Sequence, residues 1–340
     1  MPASQRALLI CAGGGAGDVL LATPVARALR SRYEDVIALT APAHCGVLEG
    51  NPDLRDIWVD AGSLRDAVGR VRAARFDVCV VTWSTGRCAL IPFLAGIPRR
   101  VGQARRLYSW LYTDRVVVKS ELGDRSTHWT QVLLDYARVL GCDVDDATPV
   151  LRVDPAARRA VDALRQRHSV TGRYIVLHPS RGLDLKGRPW PVATLARLAG
   201  ELRARFALDV IVTGTAADRA IADAVAAGSG SLSFAGTTTF AELTALCAGA
   251  ALCVAVDSGP MHVAAAVGTP TVGIFALASD EPKRWAPLGP WTAVIDNTYP
   301  CPPAHRKETC PDFACLRELD VARVVACAET LLAQRGAAST

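Results

Sequence analysis

Residues 252–276 read LCVAVDSGPMHVAAAVGTPTVGIFA. An apolar run stops at an acid and a hydroxyl, Asp257 and Ser258. Gly259 and Pro260 then open a helix that carries His262, and Gly268 and Pro270 close it before a second apolar run. Proline suits a first helical turn because its missing N–H has no partner to lose there. Two short apolar strands joined through a helix of small residues are parallel neighbours, buried on both faces. The helix start between them presents unpaired backbone N–H groups and the positive end of the dipole, so it attracts an anion.

The same alternation extends in both directions. Downstream of residue 172, YIVLHPS (174–180) starts a series of strands: DVIVTGT (209–215), LSFAG (232–236), LCVAVDS (252–258), TVGIFA (271–276) and TAVIDN (292–297), with helical segments between and a last helix near 320–334. The first half carries a second series: ALLICAG (7–13), the helical DVLLATPVARALRSRY (18–33), DVIALTA (35–41), IWVD (57–60), the helix 63–76, DVCVVTWS (77–84) and the helix 128–141 ending at Gly141. The expected architecture is α/β, with two doubly wound, Rossmann-like domains, residues 1–150 and 172–320, and a C-terminal helix and tail at 321–340. Ligands of such sheets sit beyond the carboxyl ends of the strands, which places the expected site in a cleft between the domains.

Bulk properties narrow the function. The chain has 340 residues, half of them apolar, and a net charge of +5. That composition supports large cores and lacks the basic excess of a nucleic-acid binder, so no nucleic-acid partner is expected. Eleven cysteines without a signal peptide suggest reduced thiols and a cytoplasmic protein. No stretch reaches the roughly 18 consecutive apolar residues of a membrane span. One local excess stands out: residues 97–119 hold Arg99, Arg100, Arg105, Arg106, Arg115 and Lys119 against Asp114 alone. By default this reads as a solvated loop; the sharper reading is a contact for an anionic acceptor or a membrane surface.

The turns after the strands hold the candidate chemistry. CAGGGAGDVL (11–20) misses the dinucleotide fingerprint, since Asp18 or Leu20 stands where its third glycine belongs, and no P-loop is present. What remains is a flexible glycine turn with Asp18 at a helix start, either a cap or a general base. LHPSRGLDLKGRPWP (177–191) brings Ser180, Lys186 and Arg188, groups suited to a diphosphate. The following turn offers Thr213, Gly214 and Asp218, the last a helix cap or a ribose contact. With Asp257, Ser258, Gly259 and His262, three turns of one domain converge on a nucleoside diphosphate. Cys301, Cys310 and Cys315 lack the paired spacing of a structural zinc site, so neither metal nor cofactor is expected.

These segments together resemble glycosyltransferase family 9, the ADP-heptose:lipopolysaccharide heptosyltransferases. GAGDVLLATPVARALR is similar to the family's opening motif, and LAGIPRRVGQARR with HWTQVLLDYARVLG to its acceptor-side loop and histidine helix. LHPSRGLDLKGRPWP resembles the segment that ends in Trp-Pro, and VDSGPMHVAAAVGTPTVGIFA resembles the family's donor turn. Three departures exist. Arg188 stands where the family has lysine, with Lys186 two residues earlier; Ser180 replaces a glycine; Ala304 stands where a second cysteine is often found.

The resemblance implies a GT-B fold and an inverting, metal-independent sugar transfer. Asp18 would be the base, and Asp257, Ser258, Gly259 and His262 would hold the donor. The implied partners are a nucleotide-sugar donor such as ADP-heptose and an anionic glycolipid acceptor such as the lipopolysaccharide inner core. Arg99, Arg100, Arg105 and Arg106 would face that acceptor, on a monomer in peripheral contact with the inner membrane. Alternatives are another nucleotide sugar with a different acceptor, a nucleotide-sugar epimerase or hydrolase, and a non-catalytic binder.

Overall fold

The computed structural model describes residues 5–180, 188, 190–277, 280–296, 298–302 and 308–338. They fall into two units, Met1–Arg152 and Val153–Thr340. In the first, strands β1 (Arg6–Ile10), β2 (Asp35–Thr40), β3 (Asp56–Val59), β4 (Val78–Val81), β5 (Arg99–Gln103) and β6 (Asp114–Val116) form one sheet. Its order is β3-β2-β1-β4-β5-β6, with every pairing parallel. The central strands are almost wholly aliphatic and buried, as a sheet covered by helices on both faces requires.

The second unit repeats the plan. Strands β7 (Tyr174–His178), β8 (Asp209–Val212), β9 (Leu232–Ser233), β10 (Leu252–Val256), β11 (Thr271–Phe275) and β12 (Thr292–Asp296) lie in the order β12-β11-β10-β7-β8-β9. Numbered within their own unit, both sheets read 3-2-1-4-5-6. Each reverses direction between its first and fourth strands, and the crevice beyond the carboxyl ends at that point is where such sheets take ligands. In the second sheet the register sets Ala255 beside His178, so the turns after β7 and β10 emerge side by side.

Helix patterning follows the core. The helix Val192–Phe206 buries Leu195, Leu198, Ala199 and Leu202, the spacing of one helical face. The helix Val321–Ala338 packs on it and on β11 and β12. The helix Pro155–Arg167 packs on the helix Phe240–Gly249, also within the second unit.

Three local readings change. The expected helix over 18–33 is two helices, Ala16–Leu21 and Thr23–Arg30, because Pro24 cannot donate and Thr23 turns its hydroxyl to the Leu20 carbonyl at 2.7 Å. The apolar segment Gly86–Ala95 forms a helix that the strand-and-turn pattern left unread, capped by Thr85 and ended by Gly96 at φ +79. The stretch 97–119 is not simply a solvated loop, since β5 and β6 lie within it. There Val101, Gly102 and Gln103 are buried, and a Cβ on Gly102 would meet the Tyr112 ring at 2.3 Å.

All eleven cysteines are free thiols and eight are buried, so they serve mainly as small apolar core residues. Among the described residues no helix is long and apolar enough to cross a membrane.

Candidate active site

In the first unit, β1 runs into Gly13, Gly14 and Gly15 and then into the helix that carries Asp18. Two of these glycines are sterically required. A Cβ on Gly13 would lie 1.7 Å from the Trp83 indole. Gly14 adopts φ +75, and its Cβ would come within 2.5 Å of the Asp18 carboxylate. The bare turn therefore lets an aromatic ring and an acid close in from two sides.

Asp18 accepts the Gly15 N–H through Oδ2 at 2.8 Å. Among the described residues Oδ1 accepts no hydrogen bond. Burial pushes the Asp18 pKa above the usual carboxylate range, while the Gly15 N–H and the nearby His44 pull the other way. Asp18, Thr82, Trp83 and Trp129 border one small cavity. The structure thus contains the capping contact and sets the Asp18 carboxylate at the edge of that cavity.

The arginines of 97–119 divide into two pairs. Arg99 forms an ion pair with Asp114 at 2.9 Å and donates to the Val139 carbonyl at 2.8 Å. Arg100 donates to the carbonyls of Leu111, at 2.8 Å, and Ile97, and it covers the Phe93 ring. These two brace the sheet edge. Arg105 and Arg106 are exposed; Arg105 reaches the Glu121 carbonyl at 3.3 Å, and Arg106 donates to Gln103 at 3.1 Å with Glu121 3.7 Å away.

In the second unit the turns after β7, β8 and β10 differ in character. His178 is fully enclosed and shares a 2.9 Å hydrogen bond with Thr213. Burial pushes its pKa down to about 4, against a small opposing pull from Asp218. Asp218 accepts from the Ser180 hydroxyl and from the N–H and hydroxyl of Thr215, at 2.9 and 2.6 Å. Burial alone would raise its pKa, but these donors outweigh it and hold the carboxylate ionised. Gly214 is bare because a Cβ would meet the Asp218 Cβ at 2.9 Å. Of the two roles open to Asp218, capping and ribose contact, its hydrogen bonds make the cap. Thr213 and Ser180 are both buried.

The β10 turn is open by comparison. Asp257, Ser258 and Gly259 are half-buried, and Ser258 is fully extended at φ −163. Its hydroxyl donates to the Val256 carbonyl at 2.7 Å, so Ser258 does not cap the helix Gly259–Ala266. His262 lies one turn in and is buried. Arg188 donates to the Cys310 carbonyl at 2.8 Å and covers the Phe313 ring, while Trp190 donates to the Pro179 carbonyl at 3.0 Å. These contacts tie Arg188 to the 310–313 turn and Trp190 to the end of β7. Lys186 lies outside the described residues.

Sequence reasoning missed His44 and Trp83 as neighbours of Asp18. Both follow the carboxyl end of a strand, β2 and β4, and that position is the signal that could have found them. Among the described residues no group of three or more His, Cys, Asp or Glu side chains is arranged to hold a metal ion.

Comparison with known proteins agrees with this layout. The lipopolysaccharide heptosyltransferase 3 of Escherichia coli K12 is 29% identical over 305 residues, 82% of this chain and 83% of that protein. A glycosyltransferase family 9 structure from Veillonella parvula superposes with a TM-score of 0.80 at 19% identity, over 97% of this chain and 98% of the other. The ADP-heptose lipopolysaccharide heptosyltransferase II of E. coli gives 0.78 at 23%, over 98% and 100%. Both structural neighbours have the GT-B fold expected from the sequence. Residues 65–312 match the model of glycosyltransferase family 9 (heptosyltransferase), and the chain, with its two doubly wound sheets, belongs to that family.

Proposed function

We propose that the protein transfers a sugar, heptose, from an ADP-activated donor to a hydroxyl of an anionic glycolipid, with inversion and without a metal. The observation that carries this reading is Asp18: a carboxylate whose burial makes it more basic, placed beside a cavity by a turn in which a side chain would collide. The acceptor hydroxyl attacks the anomeric carbon as Asp18 takes its proton. The bond from that carbon to the diphosphate oxygen breaks on the opposite face, and the nucleoside diphosphate leaves with the electron pair. In the second unit, the N-terminus of Gly259–Ala266 supplies amides and a dipole for the diphosphate. Asp257, Ser258 and His262 line that turn, and Lys186 and Arg188 are candidates for further phosphate contact. Arg105 and Arg106 suit an anionic acceptor, with Arg99 and Arg100 holding the edge that carries them.

Support for heptose and the lipopolysaccharide core comes from the relatives that bear those names. The test combines Asp18→Asn with nucleotide binding. Turnover should fall by about a hundredfold or more while the thermal shift given by ADP persists. Loss of ADP binding in that variant would assign Asp18 to donor binding or folding. A thermal shift by UDP or GDP but not by ADP would move the donor to another nucleotide sugar.

A further inference from the structure

Eight large apolar side chains are exposed among the described residues, and six of them fall within residues 93–122: Phe93, Leu94, Leu107, Trp110, Val117 and Leu122. Isolated exposed hydrophobics are ordinary, but a concentration of them on one edge marks an interaction surface. Leu107 is fully exposed, Leu122 is 69% exposed and Trp110 63%. Some of them are tied together. The Trp110 ring meets Phe93 edge-on at 5.6 Å, and Arg105 and Arg106 reach back to Glu121, next to Leu122. The tip is also held in place: Ser109 accepts the Arg106 N–H at 2.9 Å, and Tyr108 donates to the Ser84 carbonyl at 2.6 Å. A rigid turn thus presents leucine and tryptophan in a setting of exposed arginines.

We infer that this edge of the first unit, the 104–112 turn with Leu122 beside it, inserts into the headgroup region of a bilayer rich in anionic lipid. Two features choose the lipid surface over another protein. Arg105 and Arg106, next to Leu107 in the turn, are exposed and match anionic headgroups in charge. The tip is a projecting leucine beside an amphipathic tryptophan, the composition that partitions into a membrane interface. The turn leaves the carboxyl end of β5, and Tyr108 bonds the residue next to Trp83, which borders the Asp18 cavity. Seating it on a bilayer would hold that cavity near a lipid-anchored hydroxyl. The inference deepens the proposed transfer by naming its surface; its purpose rests on that reading, but its test does not.

The test is flotation of the full chain with vesicles of phosphatidylcholine alone or mixed with phosphatidylglycerol, at low and high salt. Binding should require phosphatidylglycerol and weaken with salt. Leu107→Glu combined with Leu122→Glu should lower it by about tenfold or more. The melting temperature of the same variant without ligand should stay unchanged, which controls for folding. Equal binding to both vesicle types, no binding by the unaltered chain, or undiminished binding by the variant would each overturn the inference. A self-associated chain that the double substitution turns into monomers, without vesicle binding, would make the edge an interface between copies. Failure of turnover with normal flotation would count against the proposed transfer alone.

Discussion

Gly13 and Gly14 carry the tightest steric demand near Asp18, and each can be tested by one methyl group. Gly13→Ala drives a Cβ into the Trp83 ring and should destabilise the protein by about 3 kcal/mol, with Trp83→Ala in the same chain restoring part of that loss. Denaturant titration of the two single variants and the double variant measures the coupling; strict additivity would show that the ring simply moves aside. His178 gives a pH prediction. Its folded pKa lies below its ordinary value, so the unfolded chain binds the extra proton. The stability it contributes is fully present above about pH 6.5 and is lost as pH falls toward 4, up to roughly 3 kcal/mol. His178→Gln should flatten that part of the stability profile. At this scale the placement of a candidate residue was legible where it lies between a strand and a helix start, as for Asp18, Asp257 and Ser258. It was silent on His44, which reaches Asp18 only because β2 pairs with β1, and on whether Asp218 is satisfied by its own turn.

At the scale of elements, caps and edges were unevenly visible. Thr239 and Glu242 form a reciprocal cap on the helix Phe240–Gly249, with the Thr239 N–H on the glutamate at 2.7 Å and the Glu242 N–H on the threonine hydroxyl at 3.2 Å. Thr239→Ala should cost about 1 kcal/mol in the same titration, with Thr239→Ser nearly neutral. The buried parallel strands were readable because they are short aliphatic runs between turn residues. β5 and β6 were hidden because they open on arginine and aspartate. Their charges looked solvated, yet Arg99 closes an ion pair across the two strands and Arg100 fills carbonyls at the sheet edge. Local composition cannot reveal a partner 15 residues away that only pairing supplies. The helix Gly86–Ala95 escaped for a different reason: it is apolar almost all round, so it shows no helical periodicity.

For the whole molecule, alternation of strand and helix foretold two parallel sheets, while the strand order within each is a tertiary fact that no local pattern carries. Each unit has its own buried core, so unfolding should not be a single step. Calorimetry is expected to resolve two transitions. ADP should raise only the one assigned to the second unit, and acid should lower that same one through His178. A single transition that ADP moves as a whole would show that the two cores melt together.

The buried thiols add a consequence of their own. Cys79 lies in β4 and Cys253 in β10, one in each sheet, and neither is accessible. Burial raises the Cys79 pKa, and the hydrogen-bonded Cys247 together with burial does the same for Cys253. Alkylation requires both access and a thiolate, and each appears only when the surrounding sheet opens. A pulse of iodoacetamide read by peptide mass would therefore act as a pair of native stopwatches, timing the opening of each half without a label or a substitution.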